Sequence, residues 1–248
     1  CSSGTVISTA AGTPFTVNAS ASVTLTNANA AAAICQLQSA GDFFVSPSVS
    51  IDVTIQINVT FNAVLQINVG NVWFVTTAPN GGAFYGVITV ATGSRMDLAG
   101  GVYALPSTCL VQGGGRLTVT TGVVNINAQV TISIVQVIGG TVNCGPSFVF
   151  TVGVLIVQGG TVNFVVVVNV TWQYTVQAIV QQGGNINVIG GGSNTAGPDL
   201  QVPACVQQTG GIFTVNGTMQ AQCYNLTGTG VVDGLGSLTV LQSLSFSG

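Results

Sequence analysis

An all-β solenoid, one parallel β-helix wound about ten times along 248 residues, is predicted by three observations. A glycine recurs every 20 to 29 residues along nearly the whole chain. Each glycine opens a run in which apolar and polar residues alternate, the period-two pattern of a strand. The spacing varies while the run stays constant, as expected for loops of varying length on a repeated scaffold.

The unit is plainest from the middle of the chain onward, in V111-Q-G-G-G115-R-L-T-V119, V135-Q-V-I-G-G140-T-V-N-C144, V157-Q-G-G160-T-V-N-F164, V180-Q-Q-G-G184-N-I-N-V188 and V206-Q-Q-T-G-G211-I-F-T-V215. Weaker copies follow Gly12, Gly41, Gly70, Gly93 and Gly236. Aligned on these ten glycines, Leu117, Val142, Val162, Ile186, Phe213 and Leu238 form one inward column, and Val119, Cys144, Phe164, Val188, Val215 and Val240 a second. Thr118, Asn143, Asn163, Asn187, Thr214 and Thr239 stand between them and face outward. Turns stack about 4.8 Å apart, so these become polar ladders hydrogen-bonded between turns.

Two further alternating runs complete each period, for example Val123–Asn127 and Val130–Ile134, so three short strands per turn are expected. Val, Thr, Asn and Gly disfavour helix, and no segment beyond Asn27–Ile34 shows a 3.6-residue period. The glycine pairs fit corners that require positive φ. Residues 1–248 are read as one domain, and about ten turns give a rod on the order of 50 Å long.

Three short strands per turn, stacked inward aliphatics and Asn/Thr ladders resemble the right-handed parallel β-helix proteins of the pectate-lyase-like superfamily. The resemblance spans nearly the whole chain and is architectural. It implies a fold and not a reaction, because no enzyme signature of those families is present.

Composition excludes several functions. Only seven side chains carry a formal charge: Asp42, Asp52, Asp97, Asp199, Asp233, Arg95 and Arg116. Nucleic-acid binding needs clustered Lys and Arg, which are lacking. The longest apolar runs, such as Phe164–Val168, are far shorter than a spanning helix, and the 17 aromatic residues show no girdle rhythm of a membrane barrel. The chain opens at Cys1-Ser-Ser-Gly without a leader pattern and reads as a processed or partial sequence. Five sequons, at Asn18, Asn58, Asn169, Asn216 and Asn225, and an even six cysteines point to an extracellular or cell- or virion-surface product bearing N-glycans.

Six cysteines allow fifteen connectivities, of which sequential pairing is expected: Cys1–Cys35, Cys109–Cys144 and Cys205–Cys223. The alternative for the inward Cys144 is a small buried apolar residue. No metal spacing is seen and no cofactor is expected.

Catalysis is not expected. The five aspartates fall at unrelated phases on different turns, so no acid and base pair is assembled, and a cysteine nucleophile would lack its His base. Arg95 and Asp97 share a strand face and read as a solvated ion pair. Both ends look uncapped, which favours head-to-tail stacking of copies into a structural fibre. One alternative is a glycan-binding adhesin using outward Phe44 and Trp73 as a stacking platform for carbohydrate; a one-residue register shift buries them instead. A third reading is ice binding through the Thr-bearing faces, against which stand the mixed ladders.

Overall fold

The computed structural model describes residues 82–145, 149–166, 174–190 and 198–247, with the backbone of nine short strands between Thr5 and Val75. The chain forms an all-β, right-handed parallel solenoid, with no helix among the described residues. About seven coils stack there, against ten expected for the whole chain; Gly12, Gly41 and Gly70 lie outside the described residues.

Each coil consists of a short strand and a long one. The short strands are Val102–Leu105, Val123–Ile126, Thr141–Cys144, Thr161–Val165, Asn185–Ile189, Ile212–Val215 and Val231–Asp233. The long strands are Leu110–Val119, Gln129–Val137, Phe150–Val157, Tyr174–Gln181, Leu200–Gln208, Thr218–Thr227 and Ser237–Ser247. Three faces were expected and three are present, but the second and third strands of a coil run together through a bend. The first described coil shows their separate origin. Its strands Val87–Val90 and Arg95–Ala99 pair with the first and second halves of Leu110–Val119. The register shifts at the bend, between Gly113 and Arg116 and between Val202 and Cys205, so a bulge turns the corner in place of a loop.

Register fixes the coil lengths. Val102 pairs with Val123, then Thr141, Thr161, Asn185, Ile212 and Val231 follow in one column, giving coils of 21, 18, 20, 24, 27 and 19 residues. The inward column of this face is Tyr103, Val124, Val142, Val162, Ile186 and Phe213, none more than 1% exposed. Phe150, Phe164 and Tyr174 meet inside at centroid distances of 5.1 to 6.0 Å. Offset and edge-on contacts of this kind add to the burial of the rings.

The glycine frame needs correction. Gly140, Gly160, Gly184 and Gly211 stack on Gly122 at one corner, each at positive φ, and each carbonyl accepts from the first short-strand amide of the next coil, as in Thr161 N to Gly140 O at 2.9 Å and Val231 N to Gly211 O at 2.9 Å. Gly93 and Gly115 lie instead at the bend of the long strand, and Gly236 lies at the corner after the short strand. The chain makes three corners per coil, and a glycine suits any of them. Leu117 is therefore inward but stacks with Val135, Leu155 and Ile179 on the third face, and Leu238 stacks with Met219 and Leu200 on the second.

Gly160 carries the sharpest test. A Cβ there would press into the Gly140 carbonyl at a φ of +71°. Gly160→Ala is expected to cost at least about 1–3 kcal/mol and to lower the melting temperature by several degrees in calorimetry. An unchanged melting temperature would show that this corner is not rigid.

Candidate functional site

The exterior is the surface on which any function must act, and its chemistry is set by columns. On the short-strand face Asn125, Asn143, Asn163 and Asn187 form a continuous amide ladder. Asn143 Nδ2 donates to Asn125 Oδ1 at 2.8 Å, Asn163 Nδ2 to Asn143 Oδ1 at 2.8 Å and Asn187 Nδ2 to Asn163 Oδ1 at 2.7 Å. Thr214 continues the same column. Each amide both donates and accepts, so the ladder satisfies itself without charge.

Thr118 and Thr239 belong elsewhere. Thr239 joins the second-face column of Gln220, Gln201 and Thr175. Thr118 is fully buried on the third face, in register with Asp97 and Gln136. Its column turns apolar beyond Gln136, with Ile156 and Val180, while Ile134, Val154 and Ala178 follow Arg116 in the next. A second amide chain runs along the corner from Arg116 through Gln136 and Gln158 to Gln182, with contacts of 2.9, 2.7 and 3.1 Å.

Two inward glutamines were not anticipated. Gln181 and Gln208 replace the Val119, Val137 and Val157 of earlier coils in a core column. Gln181 Nε2 donates to the carbonyls of Gly184 and Ile212 at 3.1 and 3.0 Å, and Gln208 Nε2 to those of Gly211 and Val231 at 3.0 and 2.9 Å. The Tyr224 hydroxyl donates to Gln208 Oε1 at 2.7 Å. The V-Q-Q doublets carried the signal, since two adjacent glutamines on a strand cannot both face water.

Cys205 and Cys223 are disulfide-bonded, in register on adjacent coils with Cα atoms 4.6 Å apart. The expected Cys109–Cys144 bond is not formed; both are buried free thiols. Cys109 precedes Leu110, which pairs with Gln129, and Ile126 of that intermediate coil pairs with Cys144. Two coil spacings, roughly 9.6 Å, exceed the span of a disulfide. Cys144 is instead a small apolar core residue. Cys1 and the Cys35 side chain lie outside the described residues.

The Arg95–Asp97 pair is present but not solvated. Arg95 Nε donates to Asp97 Oδ2 at 2.6 Å, and the Asp97 side chain has no exposed surface. Asp199 is buried at a corner, where Oδ2 accepts from Thr218 N at 2.7 Å. Asp233 is exposed on the last coil. The three aspartates are not brought together, and no group of three His, Cys, Asp or Glu side chains converges among the described residues. Asp42 and the Asp52 side chain lie outside them.

Asn216 is exposed at a corner, its Oδ1 accepting from Leu235 N at 3.0 Å; Asn225 is half-buried, accepting from Ser245 Oγ at 2.7 Å. Asn18, Asn58 and Asn169 lie outside the described residues, as do the side chains of Phe44 and Trp73. The backbone register separates those two strands. Phe44 is in backbone register with Gln66 and Thr89 on the second face, and Trp73 with Thr54 and Asp97 on the third.

The last described coil is unlike the others. Leu244 continues the core column of Val206 and Tyr224, and Phe246 that of Gln208 and Leu226, yet they are 54% and 66% exposed. Ser237–Ser247 is an 11-residue strand with a partner on one side only among the described residues. No described helix is long and apolar enough to cross a membrane. Comparison with protein-family models, curated proteins and solved structures finds no match to the chain.

Burial pushes the Cys109 thiol from 9.0 up to about 12, and raises Cys144, Tyr174 and Tyr224 as well. The folded state thus favours the neutral forms. Their contribution is complete below the unfolded value and is lost as pH rises through the folded one. The melting temperature is expected to fall progressively between pH 9 and pH 12; a flat profile over that window would contradict the assignment. At neutral pH, iodoacetamide mapped by mass spectrometry should leave Cys109 and Cys144 unlabelled until denaturant is added. Labelling of either in the folded protein would place it at the surface.

Proposed function

We propose that the chain is an extracellular structural protein, a solenoid subunit that extends end to end into a filament. The observation that carries this reading is the last described coil. Its core-column residues Leu244 and Phe246 are exposed, and Val232 and Leu238 continue two further core columns beside them. Covering a Leu or Phe of this kind stabilises by about 1.5–3 kcal/mol each. A long strand edge without a described partner adds a row of backbone donors and acceptors that templates pairing with another strand.

The covering coil is supplied by a second copy, laid head to tail so that the core columns and amide ladders run on. Such a contact is heterologous and does not close, which yields fibres. Secretion is inferred from the Cys205–Cys223 bond together with the five sequons, and glycans on residues such as exposed Asn216 would hydrate a surface nearly free of charge. The chain is read as non-enzymatic because its described carboxylates, Asp97, Asp199 and Asp233, are dispersed.

Electron microscopy of the purified chain tests the proposal. Filaments with an axial repeat on the order of 50 Å per subunit are expected. The double variant Leu244→Asp, Phe246→Asp should give dispersed rods with an unchanged circular dichroism spectrum, because these side chains support no later coil among the described residues. Dispersed rods from the unaltered chain at high concentration would overturn the reading.

A further inference from the structure

Arg95 and Arg116 are the only cationic side chains in the sequence, and they lie directly opposite one another on adjacent coils. Like charges one strand spacing apart repel, so the arrangement calls for a counter-charge. Asp97 supplies one to Arg95 at 2.6 Å. Arg116 has no carboxylate within 4.0 Å among the described residues; its Nη1 donates to the neutral Gln136 Oε1 at 2.9 Å.

Between the Thr89–Gln112 and Arg95–Arg116 pairs the ladder is interrupted, leaving a cleft of about 260 Å³ lined by Gly93, Ser94, Gly114, Gly115 and both arginines. A Cβ on Gly93 would meet only open space, whereas Gly114 and Gly115 pack against Thr92 and Ala91 of the neighbouring coil. Ser94 is 3% exposed, and its hydroxyl has no hydrogen-bond partner. A buried polar atom without a partner in a polar cleft marks a place for a ligand atom.

We propose that this cleft binds a small oxyanion, the carboxylate, sulfate or phosphate group of a ligand. Arg116 offers a planar fork of donors matched to such a group, and Ser94 a buried hydroxyl. Arg95, held by Asp97, lines the same cleft. The site lies on the side of the coil, away from the terminal edge, and does not depend on filament formation.

Because the chain has two arginines, arginine-specific modification by phenylglyoxal, read by mass spectrometry, reports on the site alone. Millimolar inorganic sulfate is expected to slow modification of Arg116 several-fold relative to chloride at equal ionic strength. Ser94→Ala should weaken that protection while leaving the chloride rate unchanged. Acetate in place of sulfate distinguishes the ligand type: protection by both assigns a carboxylate-accepting site, protection by sulfate alone a site for a tetrahedral anion. Equal rates in chloride, sulfate and acetate would overturn the proposal.

Discussion

The parallel backbone ladder between successive coils is the constraint on which everything else rests. It places each residue one strand spacing above its equivalent in the previous coil, so a side chain is chosen less for its own turn than for its column. Apolar columns form a continuous interior in which Tyr103, Phe164 and Phe213 are fully buried. Amide columns form the exterior. The ladder also restricts the corners, since a Cβ at Gly140, Gly160 or Gly184 would run into the carbonyl of the coil below.

A chain with only seven formally charged side chains satisfies its surface polar groups by repetition. Asn125 to Asn187 donate and accept in one direction along the axis, and Arg116 to Gln182 do the same along a corner. Inside, Tyr174 lies 2.7 to 2.9 Å from the carbonyl oxygens of Cys144, Gly145 and Val165, and donates its single proton among them. Gln181 and Gln208 satisfy corner carbonyls in the same manner. Tyr174, Gln181 and Gln208 thus each lock a place where the coil changes direction.

Stacking that stabilises the interior leaves a residue at each exposed edge. At the last described coil the columns continue into Leu244 and Phe246, which are exposed because no further coil covers them among the described residues. On the side of the solenoid, where strand pairing is interrupted at the bend near Gly114, a cleft lined by both arginines and by Ser94 opens at the surface.

Much of the fold was legible because alternation and glycine recurrence are local properties. Val142, Val162, Ile186 and Phe213 were read as one inward column, and Asn143, Asn163 and Asn187 as one outward ladder, since their spacing from a corner glycine is constant. Column membership at Leu117, Thr118, Leu238 and Thr239 was not legible. Three corners accept glycine equally, and only pairing between coils tells them apart. Cys205–Cys223 could be read from a spacing of 18 residues, one coil, whereas Cys109 and Cys144 required knowing that an intervening coil separates them. The burial of Asp97, the cleft beside Arg116 and the exposure of Phe246 were decided by tertiary structure alone. Each depends on what lies in the neighbouring coil, and coils of 18 to 27 residues bring that neighbour from a position no fixed sequence period can name.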